Sequence, residues 1–125
     1  MIKLVYCLRR RADITTEHFY HYWRTTHADK VRSIAQQIGA VRYIQSHTIE
    51  PDLNESLLES RGLAPAYDGI TEVWWESAQV LRAALATRTG AGAMQLLLED
   101  ESTFIDFSQS RVFMTREIEI FDLRR

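Results

Sequence analysis

His27 stands in the one place in this sequence where a histidine and an apolar environment are forced together. Phe19, Trp23, His27 and Val31 recur every four residues, so on a helix they share one stripe with the imidazole in its middle. Desolvation lowers a histidine pKa from about 6.5 and keeps the ring neutral, the form a general base needs. The competing reading is a core histidine with both ring nitrogens bonded. His47 alternates with Tyr43 and Gln45 on one strand face, as a second acid or base, a ligand donor, or a structural group. The hydroxyls of Tyr6 and Tyr43 are candidates to steady an enolate oxygen, or are plain core tyrosines. Phe19, Trp23, Trp74 and Trp75 are candidates to hold a planar apolar ligand, with large core side chains as the alternative. Trp74 and Trp75 are adjacent in a strand and must face opposite sides, one toward the helices and one away.

Other candidates lead away from a site. His18 and His21 share a helix flank with Glu17, but no carboxylate stands at ligand spacing, so no metal site is predicted. Cys7 has no evident base and reads as a small hydrophobe. Glu72 lies on a mostly apolar strand and, if buried, needs a donor such as Arg42 or Arg116. The Arg9–Arg10–Arg11 run reads as a solvated strand end.

The elements that must position these residues follow from pattern. Ile2 to Leu8 is a branched and apolar run without Gly or Pro, hence a strand. Asp13, Thr15 and Thr16 offer N-cap oxygens, Glu17 suits a first helical turn, and Gly39 is the stop; the helix between them carries the His27 stripe. Val41 to Ile49 is a second strand. Residues 50–68, broken by Pro51, Asn54, Gly62 and Pro65, read as a long loop with at most one helical turn, a lid or an edge embellishment. Ile70 to Glu76 is a third strand. Ser77 caps a helix with the stripe Val80, Leu81, Ala84 and Leu85, ended by Thr89-Gly90-Ala91-Gly92. A short helix is expected over Ala93 to Glu99, and a last strand over Arg111 to Phe121.

This order is β-α-β-β-α-β, an α+β ferredoxin-like pattern with a four-stranded antiparallel sheet. Helices can cover only one face of that sheet, so the other face calls for a partner, and a homodimer is expected. The 125 residues suit one domain over 1–125. Fifteen basic against seventeen acidic residues, interspersed, leave no basic stripe for nucleic acid. No apolar run approaches the roughly 20 residues of a membrane span. A single cysteine and no leader-like start fit a cytoplasmic protein.

Phe19-x-x-Tyr22-Trp23-Arg24-x-x-His27-Ala28 resembles the helix signature of the EthD family. Arg42 to His47 and Asp68 to Trp74 resemble its middle strands, and Phe104-x-Asp106 with Phe113-x-Thr115-Arg116-Glu117 its C-terminal stretch. The resemblance implies a dimeric α/β barrel, two sheets closing on each other with a cleft between each sheet and its own helices. Its wider superfamily spans isomerases, cofactor-free monooxygenases, polyketide cyclases, dehydratases and haem enzymes, so fold alone does not assign function. The expectation is a cofactor-independent enzyme acting by proton transfer on a hydrophobic oxygenated ring or lactone, with His27 as acid and base. Two alternatives stay open: a cofactor-free monooxygenase, and a non-catalytic dimer that carries a hydrophobic metabolite for an oxygenase system.

Overall fold

The computed structural model describes residues 1–124. Strands β1 (Ile2–Leu8), β2 (Arg42–His47), β3 (Gly69–Trp75) and β4 (Arg111–Thr115) form one antiparallel sheet in the order β2-β3-β1-β4. The first helical run is α1 (Thr16–Tyr22), a π turn (Trp23–His27) and α2 (Ala28–Ile34). It starts where the Thr15 hydroxyl accepts from the His18 N–H at 3.1 Å, and the chain turns out of it at Gly39, whose φ of 75° is left-handed. Helices α4 (Ala78–Leu85) and α5 (Arg88–Glu101) complete a ferredoxin-like α+β fold, and no described helix is long and apolar enough to cross a membrane.

Register assigns the faces. Leu4, Tyr6, Tyr43, Gln45, Thr71, Val73 and Trp75 point toward the helices, while Lys3, Val5, Ile44, Glu72, Trp74 and Phe113 point away. The apolar side chains under the helices divide into two buried clusters. One joins Val31, Ile34, Ile38, Val73, Trp75, Ala93 and Leu97; the other joins Leu8, Phe19, Trp23, Phe104 and Ile105.

The structure departs from the sequence reading in four places. Residues Pro51–Arg61 form an eleven-residue helix, α3, where a loop was expected. No residue of α3 is buried, so it lacks the apolar stripe by which a helix is recognised. Gly90 and Gly92 do not break a helix but lie inside α5, which begins at the Thr87 cap and runs to Glu101. The last strand stops at Thr115, because residues beyond it find no partner strand among those described. The arginine run is not merely solvated: Arg9 Nη1 donates to the Ala66 carbonyl at 2.7 Å, and Arg11 Nη1 to that of Ser102 at 2.7 Å.

Candidate active site

A cavity of about 540 Å³ opens between the sheet and α5, and residues of both core clusters line it. Its wall is mainly apolar, with Trp23, Val31, Val73, Trp75 and Leu97 among the contributors. Four titratable groups interrupt that wall: Tyr6, His27, Tyr43 and Glu101. An apolar enclosure with a few convergent polar groups is the usual form of a small-molecule site.

His27 is buried at 5% exposure and sits at the end of the π turn. That turn leaves the Trp23 carbonyl to accept both from the Ala28 N–H and from Gln45 Nε2, the latter at 2.8 Å. Single π turns inside α-helices are frequent at functional sites. The imidazole Nδ1 lies 2.6 Å from Asp100 Oδ2, so it is the protonated nitrogen and donates to the carboxylate. Nε2 then carries the lone pair, and the Asp100 bond at Nδ1 is the one hydrogen bond of the ring among the described residues, on a side chain that lines the cavity. Burial pulls the His27 pKa down against the upward pull of Asp100, and the net shift is downward. The ring is a neutral base at pH 7.

Asp100 is the counterpart that the sequence reading missed. It is buried at 6% exposure on α5 and accepts from His27, from Tyr22 Oη and from Lys30 Nζ, the last at 2.8 Å. Burial pushes its carboxyl up, but hydrogen bonds from Lys30, Tyr22 and His27 outweigh it and hold the pKa below the usual carboxylate range. Its signal was present: Ala93, Leu97 and Asp100 are spaced four and three, so a carboxylate continues the apolar stripe of α5. Glu101, one residue on, was missed for the same reason, since the expected helix ended before both.

Tyr43 brings a second polar group to the wall. Gln45 Nε2 donates to its hydroxyl at 2.7 Å, which frees the tyrosine proton for another acceptor, and Gln45 Oε1 faces His47 Nε2 at 2.8 Å. The Trp23 indole N–H is buried, lies near the Tyr43 hydroxyl and has no acceptor of hydrogen-bond geometry. Buried donors of this kind are costly unless something accepts from them.

Of the residues singled out from sequence, Tyr6, Trp23, His27, Tyr43 and Trp75 line the cavity, and Phe19, His47 and Trp74 do not. Phe19 is completely buried against Trp23 and Phe104, behind the wall. His47 stacks on Trp23 with ring centres 4.4 Å apart and so supports the wall from outside. Trp74 is on the opposite sheet face, covered by Arg42 at 4.5 Å and Lys3 at 5.2 Å from its ring centre. Glu72 is paired there too, with Lys3 in place of the expected arginines. Cys7, on that face as well, has its pKa raised by burial, as suits an inert thiol.

The model of the EthD domain matches residues 11–108, while no curated protein matches the chain. An EthD-like protein from Ralstonia eutropha is similar in structure at a TM-score of 0.62 and 14% identity, with 98% of this chain and 96% of that one covered. A dimeric protein of unknown function and ferredoxin-like fold from Bacteroides fragilis gives 0.55 and 8%, covering 93% and 95%. SnoaB from Streptomyces nogalater, a cofactor-independent oxygenase, gives 0.52 and 14%, covering 94% and 93%. These three share the fold; the match over residues 11–108 goes further, and by it the chain belongs to the EthD family.

Proposed function

We propose that this protein is a cofactor-independent enzyme that moves a proton on a hydrophobic, oxygenated ring or lactone, with His27 as the base. The observation that supports this best is the buried His27–Asp100 pair, whose second ring nitrogen is unpartnered beside an apolar cavity. His27 Nε2 takes a proton from the carbon next to a ring carbonyl, and Asp100 offsets the charge of the imidazolium that forms. The Tyr43 hydroxyl and the Trp23 indole N–H stabilise the enolate oxygen. Trp75 and Val73 hold the ring, which enters a space of about 540 Å³. Isomerisation, dehydration and cyclisation all share this first step.

The working form is a homodimer. The dimeric relative of the same fold supports this, as does the helix-free sheet face carrying Val5, Ile44 and Phe113, the last 49% exposed.

Deuterium uptake at the carbon beside the carbonyl, followed by NMR for a panel of cyclic ketones and lactones in heavy water, tests the reading. His27→Ala is expected to slow uptake on an accepted ring by about 100-fold or more, with ligand affinity nearly unchanged. Unchanged uptake in that variant removes His27 as the base, and binding without uptake in the native protein favours the carrier.

A second reading is cofactor-free oxygenation, favoured by Trp23 and Trp75 on the wall beside a base that can deprotonate a phenol. Oxygen consumption with electron-rich phenols separates it from proton transfer alone.

A further inference from the structure

The proton transfer described above leaves one half-buried acid of the cavity wall unused. Glu101 is the last residue of α5, its side chain is part of the cavity wall, and the Tyr6 hydroxyl lies near it. The groups that face it are Tyr6 from β1, Tyr43 from β2 and His27 from the π turn, with Asp100 beside it on α5. None of these is a standing cation: Lys30, the nearby ammonium, is spent on Asp100. A carboxylate there also meets the negative end of the α5 dipole. The two adjacent carboxyls are thus sorted by environment, Asp100 with three donors and Glu101 with an apolar wall and the phenols of Tyr6 and Tyr43.

We propose that Glu101 is a second catalytic residue of this cavity, the general acid that protonates a leaving hydroxyl, and that the substrate is a ring carrying a hydroxyl on the carbon β to its carbonyl. This rests on His27 being the base. His27 Nε2 removes the α-proton and the electron pair forms the α,β double bond. The bond from the β-carbon to the hydroxyl oxygen breaks, and the oxygen takes the Glu101 proton and leaves as water. Substrate becomes enone plus water, with no change of oxidation level summed over the two carbons. The imidazolium then returns its proton to the Glu101 carboxylate through solvent, which restores both groups. Burial, with the nearby Asp100 charge, pushes the Glu101 carboxyl up to about 7 against the opposing pull of the Tyr6 hydroxyl, so an acid proton is present near neutral pH.

Two measurements test this, one of them independent of turnover. Infrared difference spectra of the full chain at pH 6, native against Glu101→Gln, are expected to show the stretch of a protonated carboxyl that the variant lacks. Ionised Glu101 at that pH overturns the proposal and leaves His27 untouched. The second uses 3-hydroxycyclohexanone, with release of cyclohex-2-enone read by absorbance and α-deuterium uptake by NMR. Glu101→Gln is expected to cut elimination about 100-fold while uptake persists, whereas His27→Ala loses both. Equal elimination by native protein and Glu101→Gln overturns the general acid alone. Unchanged uptake in His27→Ala overturns the reading on which it rests, and Glu101→Asp, which keeps the acid on a shorter arm, is expected to recover part of the elimination.

Discussion

The His27–Asp100 pair is built from a cost that each partner relieves for the other. A buried aspartate without donors is expensive, and here three donors converge on it from Tyr22, His27 and Lys30. Replacing Asp100 with Asn keeps the shape but removes the charge and frees the amide to present a donor to His27 Nδ1. The expected outcomes are a stability loss of about 3 kcal/mol in urea unfolding and a fall in deuterium uptake well below the unfolding range. A purely structural Asp100 predicts the first without the second. The two acid–base groups on the wall, His27 and Glu101, also link stability to pH with opposite signs. The folded pKa of His27 is lowered, so its share of stability is full above the unfolded value of about 6.5 and is lost as pH falls toward the folded one. That of Glu101 is raised from 4.5 to about 7, so its share is full below 4.5 and is lost as pH rises through 7. Glu101→Gln is therefore expected to flatten the decline in melting temperature between pH 5 and about 7.5, as read by calorimetry.

Helices and strands set these groups by close approach. Gly69, at the start of β3, lies under the Trp23 ring: a Cβ there would stand 2.6 Å from two ring carbons. Gly69→Ala must shift the indole, and since Trp23 is part of the cavity wall the change is expected to weaken ligand binding as well as cost about 1–3 kcal/mol. Within α5 two glycines make an internal contrast. A Cβ on Gly90 would sit 1.9 Å from the Ala84 carbonyl oxygen, so the α4–α5 junction closes only without one. Gly92 has nothing within 4 Å of that position. In urea unfolding Gly90→Ala is expected to destabilise by about 3 kcal/mol or more, and Gly92→Ala to stabilise by about 0.5–1 kcal/mol through helix propensity.

Two faces of one sheet have different fates in the whole molecule. The inner face meets helices and the cavity; the outer face mixes Val5, Ile44 and Phe113 with the Lys3–Glu72 pair and the cation-covered Trp74. Such a mixture resembles the apolar core and polar rim of an association surface more than a solvent face. Beyond β4, Ile118, Ile120, Phe121 and Leu123 are each at least 71% exposed, an uncommon density of large apolar groups in water. Light scattering is expected to give twice the chain mass, and Phe113→Glu, which puts a charge on the β4 edge of the open face, to give the single chain with its secondary structure retained. A monomeric native protein refutes the assembly and leaves the cavity chemistry standing.

Local pattern determined most of the architecture. The His27 stripe, the Thr15 cap, the alternation of Tyr43, Gln45 and His47 and the succession of the four strands along the chain follow from patterns that residues within a few positions of each other carry. The same periodicity could not find α3, whose eleven residues bury nothing, nor end β4, whose limit is a missing neighbour. Only the tertiary structure decided what surrounds His27. Asp100 is 73 residues away in sequence, and whether an imidazole has one free nitrogen or none depends on which side chain of α5 arrives beside it. Likewise Trp75 rather than Trp74 faces the cavity because β3 pairs with β1 in one register, Trp75 opposite Ile2. A shift of one residue would exchange them, and nothing within the Trp-Trp pair distinguishes the two.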